Sequence, residues 1–409
     1  MPPVVYAVST MDTKGSELEF VAQCLQNAGV TVRKIDVGTL GEPTRPSDVS
    51  RDYVASFHPD GAAAILNETD RGKAVSAMSV ALTAFFQHEH KNGRVAGAIG
   101  LGGTGGTALI APAMRALPIG IPKVLVSTVA AGDVRAYVGS SDLIMVPSIV
   151  DVAGLNSVSR RILANAAHAL AGMVSHTVSS EGERPAIGMT MFGVTTPCVE
   201  AVRSALEKQG FDCLVFHATG TGGKAMESLV EAGFIRGVLD ITTTEVADEI
   251  VGGIFPAGPQ RFDAIINARI PYVVSLGALD MVNFAAKDTV PERFHNRKLH
   301  VHNAQITLMR TTPDENRQCA RWIAGKLNRS QSPVSLLIPE KSVSLLDAPG
   351  MPFEDPEADR ALFDELESAI EKTQERTIRR LPEAINSPCF AEELVNEFLR
   401  LWKSGTQAM

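Results

Sequence analysis

Short apolar runs recur along this chain, each leading into a turn or a stretch with helical spacing, and partway along the whole pattern restarts. In the first 150 residues these runs are Val4–Val8, Val32–Val37, Gly61–Leu66, Val95–Gly100, Val124–Ser127 and Leu143–Val146. Helices are predicted near 16–28, over 70–90 and over 157–173, the last with Leu163, Ala166, Leu170 and Met173 at helical spacing. A strand that is apolar along its whole length needs cover on both faces, and intervening helices supply it, so the sheet is parallel and doubly wound.

A polar stretch, Ser175–Arg184, then breaks the pattern and marks a domain boundary. Beyond it, Ala186–Met191 parallels Val4–Ser9, and Gly220–Gly223 aligns with Gly38–Gly41. Ile121–Ser127 matches Ile270–Ser275. The chain reads as a diverged internal duplication: two tandem Rossmann-like α/β domains with mostly parallel sheets, over 1–178 and 185–409. The second carries an extension: a helix from a Thr312–Glu315 capping box, a strand at Val334–Ile338, a long loop over Pro339–Asp355 suited to a lid or interface arm, and an edge strand at Thr377–Leu381.

Composition narrows the function. Lys and Arg number 38 against 46 Asp and Glu, a net charge of −8, which disfavours a nucleic-acid binder working through a broad basic surface. The five cysteines are scattered with no CxxC, so neither a disulfide framework nor a zinc site is expected. The N-terminus lacks a basic n-region, and the apolar runs 119–131 and 143–155 are cut by Lys123 and Asp151. The expectation is a cytoplasmic protein with no membrane span and no structural metal.

In open parallel sheets, ligands bind beyond the carboxyl ends of the strands. Two loops of the first domain stand there. Gly102, Gly103, Thr104, Gly105, Gly106 and Thr107 join a strand to a helix; glycines admit a ligand close to the backbone, and the helix start offers free amides to a phosphate or carboxylate. The loop Ser9–Gly15 supplies Thr10, Thr13 and Lys14 as phosphate donors and Asp12 for a ribose hydroxyl, a base or a metal ion. A helix capped by Thr13 or Ser16 accounts for the same residues. Ser140-Ser141-Asp142 precedes a strand and reads as a turn cap. In the second domain, Gly220, Gly222 and Lys224 suit a small anion, and His217, Glu245, Asp280 and His302 are candidate catalytic acids and bases. No metal-ligand spacing joins them. Cys198 reads as a buried, inert thiol.

Thr10–Gly15, Gly102–Thr107, Ser148–Asn156, Gly188–Cys198, Phe216–Glu227 and Leu308–Pro313 together resemble a known family. It comprises the ATP-binding N-terminal domain of the tomato mosaic virus resistance protein and its uncharacterised bacterial and fungal relatives. The resemblance implies two Rossmann-like domains, ATP in the first, and a homodimer; Mg is a candidate companion of the nucleotide. The plant protein continues into a TIM barrel, which makes a separate TIM-barrel protein a candidate partner.

The leading expectation is therefore an ATP-binding protein with its nucleotide on the Thr10–Lys14 and Gly102–Thr107 loops. One alternative is an enzyme acting on a phosphorylated or carboxylated substrate in an interdomain cleft. Another is a regulatory protein with ATP as a structural ligand. Position 197, aligned with Lys14, is proline, which has neither charge nor amide. The nucleotide is thus expected in the first domain alone, with a smaller anion, or none, near Gly220–Lys224.

Overall fold

The computed structural model describes residues 3–176 and 182–406, the last two of these by backbone only. The chain divides into two compact units, Met1–Glu181 and Gly182–Met409. Part of the polar stretch read as a boundary, 177–181, lies outside the described residues.

The first unit has five strands: β1 (Val4–Ser9), β2 (Val32–Asp36), β3 (Val95–Gly102), β4 (Lys123–Ser127) and β5 (Ile144–Pro147). All pair in parallel, in the order β2-β1-β3-β4-β5. Along β1 the side chains alternate between faces, as period two requires. Tyr6 and Val8 pack under the helices Arg71–Lys91 and Thr104–Arg115, while Val5 and Ala7 pack under Met11–Asn27 and Ser157–Ser175.

One expected strand is absent. Ala63–Leu66, within the apolar run Gly61–Leu66, is a short helix. Only Ile65 of this helix is buried, and alanine favours helix where no sheet buries both faces.

The second unit contains β6 (Ala186–Met191), β7 (Asp212–His217), β8 (Ile235–Thr242), β9 (Tyr272–Gly277), β10 (Met281–Phe284), β11 (Leu299–Asn303), β12 (Ile306–Arg310), β13 (Val334–Pro339) and β14 (Arg376–Leu381). Six form a parallel sheet in the order β14-β13-β9-β8-β6-β7. Its β7-β6-β8-β9 portion repeats the β2-β1-β3-β4 order of the first unit, as the duplication requires. β10, β12 and β11 form a separate antiparallel sheet.

The Thr312–Glu315 capping box forms, with Thr312 N donating to Glu315 and Glu315 N to Thr312. The edge strand arrives as β14. The helix Pro388–Thr406 closes one face of the sheet, burying Phe390, Leu394 and Phe398 with Ile187, Leu239 and Leu337. The loop after β13 is packed rather than lid-like: Val343 and Phe353 are fully buried, and Ser344 and Asp347 are buried and bonded.

Candidate functional site

The first unit's strand order reverses between β1 and β3, which opens a crevice at their carboxyl ends. The two loops singled out in the first domain leave these two strands. Gly102 makes a sharp turn into the helix: a Cβ there would lie 2.6 Å from Thr107 N. No described acceptor takes the amides of Gly103, Thr104, Gly105 or Gly106, and nothing lies within 4 Å of a Cβ at Gly105. Thr104 and Gly105 are exposed. Thr107 differs from its neighbours. It is buried, its hydroxyl 2.6 Å from that of Ser127 at the end of β4, so it braces the loop.

Thr10–Gly15 is not a loop. The helix starts at Met11 with Thr10 at the N-cap, in place of Thr13 or Ser16, and kinks at Lys14. Thr10 and Thr13 hydroxyls lie 3.1 Å apart. Lys14 Nζ donates to the Val152 carbonyl, so its ammonium is tied to the segment after β5. Asp12 Oδ2 accepts from Gly41 N at 3.3 Å, and Asp12 Oδ1 is buried without a partner. Asp36, the last residue of β2, accepts from Met11 N and Gly38 N. Burial pushes its pKa up, against these bonds and the nearby Arg51. At the opposite end of the sheet Asp142 caps Gly120 N and pairs with Lys123, the turn-cap role read from sequence.

The equivalent crevice of the second unit, between β6 and β8, is filled by its own side chains. Thr195 and Thr242 hydroxyls meet at 2.7 Å, and Thr190 donates to Asp240 at 2.6 Å; all four residues are fully buried. The glycine turn after β7 is occupied from within: Glu245 Oε1 accepts from Gly220 N at 2.7 Å and Gly223 N at 3.1 Å, while its Oε2 accepts from Arg261 Nε at 2.8 Å. Arg261 also pairs with Glu227 and Asp240.

Over residues 3–179 the chain matches the Uncharacterised protein family (UPF0261) N-terminal domain, and over 184–402 the C-terminal domain of that family. The chain belongs to the UPF0261 family. A UPF0261 protein of Rhizobium meliloti (strain 1021) is 53% identical over 96% of this chain and 97% of its own length. One from Clostridium tetani (strain Massachusetts / E88) is 44% identical over 97% of this chain and 98% of its own. The ToMV resistance protein Tm-1(GCR237) of Solanum lycopersicum is 47% identical over 98% of this chain, which spans 56% of the tomato protein.

In this UPF0261 chain no described hydrogen bond or ion pair joins any two of the four candidate catalytic residues. Glu245 belongs to Arg261. His217 is exposed at the end of β7, its ring edge-on to Phe192. His302 is exposed on β11, at the edge of the antiparallel sheet. Asp280 is fully buried and accepts from Ser344 Oγ at 2.8 Å. It belongs to a second arginine-centred cluster, in which Arg310 bonds Asp359 at 2.6 Å and Asp347 at 3.2 Å. Burial, with Asp280 and Asp359 close by, pushes the Asp347 carboxyl far above the usual carboxylate range. Burial likewise pushes the Cys198 thiol up to about 12, which keeps it inert.

Among the described residues no helix is long and apolar enough to cross a membrane, and no group of three or more His, Cys, Asp or Glu could hold a metal. Sequence reasoning gave Ser9 no role within its loop, and passed over Asp36 and the arginines, Arg261 and Arg310, that hold Glu245 and neighbour Asp280. Asp36 had a signal, an acidic residue ending a strand; the clusters join residues far apart in sequence.

Proposed function

We propose that this UPF0261 protein binds ATP in its first unit, the phosphates on the Gly103–Gly106 amides and the nucleotide along the β1–β3 crevice. One observation carries the reading: four consecutive amides with no acceptor among the described residues open the helix Thr104–Arg115 beside the strand-order reversal. Free amides and the helix dipole together favour a phosphate group. The choice of ATP among phosphate ligands follows the family resemblance. In the second unit the turn after β8, which corresponds to the one after β3, carries buried threonines in place of glycines, with Thr243 N bonded to the Gly277 carbonyl, which supports a single nucleotide per chain. Calorimetric titration with ATP tests this. Binding below about 1 mM is expected, and Gly105→Asp, which places a carboxylate at the phosphate position, should abolish it. Absence of binding, or an unaffected Gly105→Asp variant, would refute the assignment.

A further inference from the structure

Three buried side-chain polar atoms lack a partner among the described residues of the first unit: Ser9 Oγ, Asp12 Oδ1 and Arg94 Nε. Two of them belong to residues at the carboxyl end of β1 and in the helix start that follows it. A buried acceptor without a donor is costly, so such atoms point to something that completes them.

Ser9 is fully buried and pairs in register with Asp36 on β2, so the two side chains leave the same face of the sheet at its last rung. The chain then turns so that Met11 N meets Asp36 Oδ1 at 3.0 Å, which brings Asp12 over the same edge. Gly38 lies between the carboxylates: a Cβ there would be 3.1 Å from Asp36 Oδ1 and 3.2 Å from Asp12 Oδ1. Asp36 has two amides and Arg51 Nε at 3.5 Å. Asp12 has one long amide contact, and the lysine nearest it in sequence, Lys14, is bonded elsewhere.

We propose that Asp12 Oδ1 holds a divalent cation of the magnesium class, with Ser9 and Asp36 fixing its water shell, and that this cation bridges to the nucleotide phosphates. The inference rests on the nucleotide reading above. Two carboxylates beside a triphosphate repel it unless a cation stands between them. The available donors are all oxygens, which suits a hard cation, and one carboxylate completed by phosphates and water is the magnesium pattern. The donor set is too small to hold the ion alone, so the cation and the nucleotide arrive together.

ATP titrations of the full chain in Mg²⁺ and in EDTA test this, on wild type, Asp12→Asn and Ser9→Ala. Wild type is expected to bind at least about tenfold tighter with Mg²⁺. Asp12→Asn should bind equally in both buffers, at the EDTA affinity of wild type, and Ser9→Ala should retain part of the gain. If Asp12→Asn does not fold, Asp12→Glu takes its place and should show a reduced Mg²⁺ gain. Tight wild-type binding indifferent to Mg²⁺, or a full gain kept by the Asp12 variant, overturns the cation site and leaves the nucleotide reading standing. Absence of ATP binding in either buffer overturns both.

Discussion

The two units share a strand order, yet at the crevice where that order reverses, the first leaves buried polar atoms without a described partner, while the second pairs buried threonines across it. In the first, four amides of the glycine turn, Ser9 Oγ and Asp12 Oδ1 have no partner among the described residues. In the second, threonines fill the crevice, and Glu245 closes the glycine turn after β7. Duplicated folds carry over backbone geometry; ligand capacity depends on whether a later residue occupies the amides. A carboxylate held by Arg261 fills the amides of the turn after β7, at a different strand end from the turn to which we assign a phosphate in the first unit.

The largest test of this contrast is Arg261→Leu. It leaves Glu227, Asp240 and Glu245 buried around a missing cation, and removing one partner of a buried pair costs ~3–5 kcal/mol. Denaturant titration should show the second unit destabilised by at least that amount. A loss below about 1 kcal/mol would mean the cluster is dispensable.

Next comes Gly222→Ala. A Cβ there would lie 1.9 Å from the His217 carbonyl oxygen, so the backbone must move, at a cost of about 1–3 kcal/mol. An unchanged melting transition would show that this turn is looser than its contacts indicate.

The Arg310 cluster gives a pH test. Asp347 holds its proton far above the unfolded aspartate value of about 3.9. The native state therefore carries a proton the unfolded chain lacks, and the associated stability, full below about pH 4, declines as pH rises towards the raised native pKa. The slope approaches about 1.4 kcal/mol per pH unit for one proton. Urea titrations between mildly acidic and alkaline pH should show this decline, and Asp347→Asn should flatten it. The same slope in the variant would place the proton elsewhere.

The smallest expected effect is Gly105→Ala. With open space around the position and helical backbone in the first turn, where alanine is favoured over glycine, stability should stay the same or rise by less than about 1 kcal/mol. A clear loss would mean that the exposed turn is internally constrained, as Gly222 is.

The strands were legible because burial on both faces leaves near-continuous apolar runs, as in Val4–Val8 and Val95–Gly100. Ala63–Leu66 misled because an alanine-rich run is apolar without being strand-forming. Thr10–Gly15 misled because polar residues and a glycine imitate a loop, whereas the chain begins its helix at once and absorbs the irregularity in one kink at Lys14. Gly102–Thr107 was legible as a turn, but the commitment of Thr107 to Ser127 depends on a neighbouring strand. For the same reason nothing local announced that Glu245 closes the turn at Gly220, which lies 25 residues upstream.

The helix Pro388–Thr406 sets an order on biosynthesis. It follows every strand of the second sheet yet covers one face of that sheet, with Phe398 seated against Gly237. The five strands of the first unit lie within residues 4–147, so they can assemble while the ribosome is still translating the second half. The helix Thr196–Lys208 covers that face of the second sheet near Ile187, but the part at Leu239 and Leu337 lacks its cover until the last helix has left the exit tunnel. The nascent form of this sheet is therefore the stage at which a chaperone would find the most to hold.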